Sequence, residues 1–578
     1  MKRVISIFFG LCSLFTLSAQ TAVESLSERS NARGVLMNRD LMSVAEMGQF
    51  SQSTFQFGTA RSMAMAGAMT SLGGDATAML INPAGLGMYR SSEFGLTPLV
   101  TVQRSDSEGG RSSGRGDNSF SLSNFSAVFA LPQSGTSPLL ALNVGIGYNR
   151  ISNLNYSYSL MSGGQSSSLA RLFSRQLTGM GVSLTELRGD NNPNWNSLST
   201  AAWGAALGYK NGLTFQSYGV VPEGYDNATA DDTITESTTP IWTSSWMNSS
   251  TVVDQYFTLE SEGSVGEYDL SIGGNVMNKI YFGFTFGIQS VYQRLDLLYS
   301  EEYYNSVPLD SEVVAMNYNQ TVITSGVGLN LKVGATYRPV EALRIGVAYH
   351  SPTWYSLSRE YQASMASVSQ FSDDPHQEYY SSADSPILGD YGENRWRFNS
   401  PSRLLVGGSY TFGKRALISI DYQRDWVGSM KVRELPYGVD TSLYTGFDEL
   451  YESVNTLRVG GEFKPTAKVA LRGGYGCSSS MVSSGVSSAD LLDIPTTDRV
   501  RYFSAGIGYA AAKNVLFDLT YMNQVSYCTS YTLFYGAGDV TVSSVGGDAI
   551  PSAAPSQSGT FKSDLRSHNI ALSMVLKM

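Results

Sequence analysis

Past residue 90 the chain alternates apolar residues with polar or small ones in run after run. In 279–293 one face reads Ile280, Phe282, Phe284, Phe286 and Ile288, and the other Gly283, Thr285, Gly287 and Gln289. In 415–427 Ile418, Ile420, Tyr422 and Trp426 oppose Ser419, Asp421, Gln423 and Asp425. Near the end Ile570, Leu572, Met574 and Leu576 alternate with Asn569, Ala571, Ser573 and Lys577. A period of two marks a strand with one apolar face. It predicts strands at 91–104, 118–131, 138–157, 255–273, 279–298, 320–338, 342–360, 394–412, 415–432, 452–464, 467–480, 498–511, 514–534 and 562–577.

The connections are as informative as the strands. Short links at 132–137, 274–278, 339–342, 413–414, 465–466 and 511–513 alternate with long polar ones. About fourteen antiparallel strands joined in this way form the pattern of a transmembrane barrel, with the tight turns facing the periplasm. A soluble sheet with one wet face would alternate too, but would not sort its connections by length. A charge facing lipid costs about 2–4 kcal/mol at the midplane. Asp421, Arg458, Glu462, Arg472 and Asp518 are therefore expected in the lumen.

Composition agrees. Only 15% of the 578 residues are charged, whereas Gly numbers 58 and Tyr 34. That suits aromatic girdles and small lumen-facing side chains, and a net charge of −10 argues against a nucleic-acid partner. Lys2-Arg3, an apolar run over 4–17 and Ala19-Gln20 read as a signal peptide at 1–19. Beyond it no apolar run reaches the ~18 residues of a membrane helix, so any crossing is made by strands. Cys12 lies within the apolar run, and Cys477 and Cys528 read as free thiols on separate strands.

One stretch departs from the strand rhythm. Residues 61–93 carry Met-Ala-Gly-Ala, Gly-Gly-Asp-Ala-Thr-Ala and Asn-Pro-Ala-Gly-Leu. Small residues permit close backbone approach, and Asn82-Pro83 is a turn dipeptide. From Arg61 to Leu86 this resembles the N-terminal signature of the FadL/TodX family, outer-membrane transporters for long-chain fatty acids and other hydrophobic molecules. Lys332 to Tyr349, with His350-Ser351-Pro352, is similar to that family's paired strands ending in an Arg/His-Ser-Pro turn. Ser400-Pro401-Ser402-Arg403, Leu457 to Tyr475, and Ile494-Pro495 with Asp498-Arg499 resemble later family segments. The region 154–255 is far longer than a typical family loop.

The resemblance implies an all-β, outer-membrane barrel of about fourteen strands with an N-terminal plug, or hatch, in its lumen. The chain then divides into 1–19 signal peptide, 20–90 extension and hatch, and 91–578 barrel, with a large extracellular loop at about 158–254. Asn82, Pro83, Ala84 and Gly85 would form the gate of the hatch. The family's sideways release through a kinked early strand points to Gly145 and Gly147.

Other candidates come from the residues themselves. Met63, Met65, Met69 and Met79 offer adaptable thioethers for an apolar ligand, or else fill the core of the hatch. Trp195, Trp203, Trp242 and Trp246, four of seven in the chain, either line a capturing groove on the loop or form its small core. Three histidines, His350, His376 and His568, make no catalytic or metal constellation. No enzyme activity, cofactor or metal is expected. The reading is a monomeric barrel in contact with outer-membrane lipid that takes up a fatty acid-like solute. The alternative is an adhesive surface barrel that binds a partner through its expanded loop.

Overall fold

The computed structural model describes residues 32–578 apart from 34, 38, 52–56, 218–240, 305–310, 484–496, 537–557 and shorter stretches within the connections. The expected signal peptide, with Cys12, lies outside the described residues. Among those described, fourteen strands close into one antiparallel barrel. In chain order they are β1 Glu93–Glu108, β2 Gly116–Phe129, β3 Leu139–Asn153, β4 Val252–Val276 and β5 Ile280–Tyr304. β6 is Ser311–Val340, β7 comprises Leu343–His350 and Trp354–Phe371, and β8 comprises Arg395–Asn399 and Arg403–Phe412. β9 comprises Ala416–Asp425 and Lys431–Glu434, and β10 is Val454–Phe463. The last four are β11 Val469–Ser478, β12 Thr497–Ala510, β13 Val515–Cys528 and β14 Thr560–Lys577. Glu93 opposite Lys577 closes the ring.

The alternation read along the chain is that of the wall. Ile280, Phe282, Phe284, Ile288, Ile418, Ile420, Ile570 and Leu572 all face outward and are exposed. Asp421, Arg458, Glu462 and Asp518 are buried inside. Arg472 joins them, 2.7 Å from Glu462 and paired also with Asp518. The tight turns at 277–279, 341–342, 413–415, 464–468 and 511–514 share one end of the barrel.

At the other end the wall projects. β5 and β6 run for 25 and 30 residues, where about 9–11 cross a bilayer. The described residues of the connection 166–251 pack on these projections. Its helix Leu169–Gly179 buries Leu169, Leu172, Phe173 and Leu177, a helical stripe, against Tyr299, Tyr318 and Val322 of the wall.

Two prolines interrupt the wall without turning it. As the strand read at 342–360 implies, the chain does not reverse at Ser351-Pro352, where the family pattern has a turn; it resumes at Trp354 beside the same neighbour, β6. Pro352 and Pro401 have no N–H to give the ladder. Serine hydroxyls stitch the break: Ser351 Oγ accepts from Leu331 N–H at 2.9 Å, and Ser400 Oγ from Thr353 N–H at 2.8 Å.

A larger irregularity separates β2 from β3. They pair from Phe129–Val144 as far as Asn124–Asn149. Beyond that rung β3 stays with β4, as does its continuation Tyr156–Gln165. Among the described residues, Gly116–Leu122 pairs only on its β1 side. Further out, Arg111 and Ser112 meet Met161 and Leu160. The wall thus has a window, with Phe120 on its rim 78% exposed.

Candidate functional site

Residues 57–89 lie inside the ring of strands. Thr59 opens their first turn, Ala60–Ala64; its hydroxyl accepts from Ser62 N–H at 3.2 Å and donates to Asp75 at 2.8 Å. From there the backbone runs against the wall, and where it touches, the wall is glycine. Gly273, Gly283 and Gly334 stand opposite one another on β4, β5 and β6. Gly346 faces Gly407 across β7 and β8, and Gly460 faces Gly474 across β10 and β11. A Cβ would strike Leu86 at Gly273, Pro83 at Gly283, Asn82 at Gly334, Thr70 at Gly346, and Met65 at Gly460 or Gly474.

Between the glycines, side chains of the wall reach the segment's backbone. Thr520 donates to Ala60 C=O at 2.6 Å, Ser504 to Ala64 C=O at 2.9 Å and Tyr502 to Ala66 C=O at 3.1 Å. Thr70 N–H donates to Asp421 at 2.6 Å. The expected gate residues are brought together here. Asn82 Oδ1 accepts from Ala84 N–H at 3.1 Å and starts the tight turn Pro83–Met88, with Pro83 first. Asn82 Nδ2 donates to Thr70 C=O at 2.6 Å. Asn143 of β3 clamps the far end, donating to Leu86 C=O at 2.7 Å and Tyr89 C=O at 3.0 Å. Asn82, Pro83, Ala84 and Gly85 are all buried.

The other sequence candidates are placed differently. Met63, Met65, Met69 and Met79 are buried but spread over three apolar clusters. Met79 meets the expected exit strand, since a Cβ at Gly145 or Gly147 would touch its thioether. Gly145 and Gly147 themselves pair with neighbours on both sides. The gap in the pairing lies farther along the same strand, beyond Asn149. Trp203 and Trp242 are buried in the core of the outer connection, and Trp195 packs edge-on to Trp203 with ring centroids 5.4 Å apart. They do not display a groove. Trp246 lies outside the described residues.

Above the inner segment sits the helix Val44–Ser51 of the N-terminal extension. Ser43 and Glu46 cap it reciprocally: Glu46 accepts from Ser43 N–H at 2.8 Å, and Ser43 Oγ from Glu46 N–H at 3.2 Å. Arg359 of β7 grips both Glu46 oxygens, at 2.9 and 3.1 Å, and donates to Arg39 C=O at 3.0 Å. All three side chains are sealed from solvent. Burial pushes the Glu46 carboxyl upward, but Arg359 and Arg39 outweigh it and hold it below its ordinary 4.5.

The foot of the window is a polar chain. Asn124 donates to Asn149 and Asn149 to Asp269, both at 2.8 Å. Lys332 lies 3.0 Å from Asp269 and is also paired with Glu267. Buried charges of this kind persist only when paired. Behind the window is a cavity of about 70 Å³. Residues 151–154, where β3 has left β2, line it together with Phe57, Tyr156 and Tyr158.

Residues 209–531, more than half of the chain, match the family model described as outer membrane protein transport protein (OMPP1/FadL/TodX). The chain belongs to this family. It is thus an outer-membrane barrel of a family of transporters of hydrophobic compounds, whose members are channels and not enzymes. Solved structures similar to it include the P. putida toluene transporter TodX, at 13% identity and TM-score 0.44, covering 91% of this chain and 99% of that one. A Pseudomonas aeruginosa FadL homologue has 12% identity, TM-score 0.48 and coverage of 91% and 99%. The Ralstonia pickettii toluene transporter TbuX has 17% identity, TM-score 0.43 and coverage of 90% and 98%. No curated protein matches the chain by sequence.

Two consequences can be measured. Gly346→Val drives a side chain into Thr70 and should destabilise the seated segment by about 1–3 kcal/mol. Urea titration of the reconstituted protein should show it, and an unchanged midpoint would contradict the seat. Arg359→Met leaves the buried Glu46 carboxylate with Arg39 alone, 3.6 Å away, and should cost about 3–5 kcal/mol at neutral pH. Because the Glu46 pKa is depressed, its contribution is complete above 4.5 and is lost only as pH falls below that value. The gap between wild type and variant should therefore narrow in acid.

Proposed function

We propose that this protein takes up hydrophobic small molecules passively, long-chain fatty acids foremost, with residues 57–89 acting as a hatch that yields to the ligand. The observation that carries the reading is the window between β2 and β3, which shares residues 151–154 with the cavity behind it. Such an arrangement supports a path from the lumen sideways into the bilayer. Seated interior residues oppose a straight aqueous path along the axis, and an open aqueous pore would not select greasy solutes. No bond is made or broken. Solute leaves water for an apolar surface, the hatch gives way, and the hydrophobic effect supplies the direction.

Asn82 and Pro83 set the turn on which the hatch rests, and they are the residues to change. Proteoliposomes carrying wild type should move labelled oleate faster than a hydrophilic tracer. The double variant Asn82→Ala, Pro83→Ala should shift that selectivity, either by admitting the tracer or by slowing oleate. If wild type moves neither faster than protein-free vesicles, the uptake reading fails.

A further inference from the structure

Four arginines face outward on the strands around the seam that closes the barrel. Arg104 of β1 and Arg566 of β14 stand directly opposite each other, and Arg501 of β12 shares their row across Val525 of β13. Arg499, the next outward residue of β12, lies with Arg501 over the ring of Tyr527, at 4.9 and 5.8 Å from its centre. All four are exposed. Like charges directly opposite on a sheet repel. Among the described residues no carboxylate comes within ion-pair distance of Arg566, Arg499 or Arg501, and Asp106 lies 3.7 Å from Arg104 with both side chains largely exposed. Asp564, the next outward residue of β14, accepts from Cys528 N–H at 3.2 Å. The opposite wall is arranged differently: Arg294 of β5 is held by Asp296 at 2.7 Å, with Glu262 across from it.

The height of the arginines matters as much as their charge. Counted from the tight-turn end, 93–104, 566–577 and 501–510 are each about the 9–11 residues that cross a bilayer. The arginines therefore end the apolar band on its outer side, above the exposed Val102, Phe503 and Ile570. Arg104 and Arg566 form one pair, and Arg499 and Arg501 another. One strand, β13, separates them, which at ~4.8 Å per strand puts the pairs about 10 Å apart.

We infer that this face docks a lipid of the outer leaflet with two phosphates in its head group. Each arginine pair takes one phosphate through charge-assisted N–H donors, and the acyl chains lie on the apolar residues below. The Tyr527 ring orients two guanidinium groups and leaves their edges free to donate. A soluble anion would meet the charges but gain nothing from the apolar wall beneath them. The site is independent of the uptake reading, because it lies on the outside of the wall.

The test is titration of the full chain in dodecylmaltoside micelles with diphosphoryl and monophosphoryl lipid A, bound lipid being counted by native mass spectrometry. The diphosphoryl form should bind at least about fivefold tighter, as expected for one more phosphate meeting an arginine pair. The double variant Arg501→Gln, Arg566→Gln should weaken diphosphoryl lipid A by about tenfold or more and abolish the preference. Arg104→Gln with Arg499→Gln also takes one arginine from each pair and should act likewise, which covers a first variant that does not fold. Arg294→Gln, on the opposite wall, should bind as wild type does. Inorganic pyrophosphate at equal concentration should leave the lipid bound. Equal binding of the two lipids, or double variants that bind as wild type does, would overturn the site. Displacement by pyrophosphate would overturn the lipid as its occupant.

Discussion

The interior of this barrel depends on how closely the backbone of residues 57–89 approaches the wall. Backbone against backbone is possible only where no Cβ intervenes, and Gly273, Gly283, Gly334, Gly346, Gly407, Gly460 and Gly474 remove it on seven strands. The approach brings the segment's carbonyls within reach of Thr520, Ser504 and Tyr502. Those groups would otherwise be buried without water, at a cost that folding does not tolerate. Contacts of this kind are many, neutral and individually modest. They hold the segment in place together with two charged contacts, Thr70 N–H on Asp421 at 2.6 Å and Arg61 on Glu462 at 3.6 Å.

The upper part of the lumen is held differently. Arg359, Glu46 and Arg39 form a sealed ionic knot that cannot be loosened one partner at a time without stranding a charge. Two grades of attachment therefore act on one N-terminal region. The extension is held by this buried knot, and the segment below it mainly by hydrogen bonds, with one ion pair from the partly exposed Arg61 to Glu462. The window occurs where these two zones meet: residues 151–154 face the cavity that both Gln49 and Phe57 line.

Much of this was legible in the sequence, and the reasons differ by feature. Ile418, Ile420 and Tyr422 against Ser419, Asp421 and Gln423 reveal a wall, because period two is local. The ordering of short and long connections is also a one-dimensional signal, and it yields the fourteen strands. Asn82-Pro83-Ala84-Gly85 stands out by composition and family likeness. The window does not, because it is a missing partner: 138–157 reads as one run, and only the pairing of β3 with β2 shows where the two separate. The strands read at 342–360 and 394–412 run through the Ser-Pro sites as the wall does, whereas the rescue of the ladder by Ser351 and Ser400 hydroxyls is tertiary and leaves no local signal. Glu46 and Arg359 lie too far apart in the chain for any pattern to pair them. Trp203 and Trp242 leave open, in sequence, whether they face out or in; the packing of the outer connection turns them in.

The most direct test of the account is whether the hatch moves when solute is present. Ala84 sits at the turn and is wholly buried, so a single thiol there, Ala84→Cys with Cys477 and Cys528 replaced by serine, reports exposure. Its labelling rate by a membrane-impermeant maleimide would be measured in proteoliposomes with and without oleate. A clear acceleration by oleate is predicted. An unchanged rate in vesicles that nonetheless transfer oleate would show that solute passes a static interior, and the hatch would not be a gate.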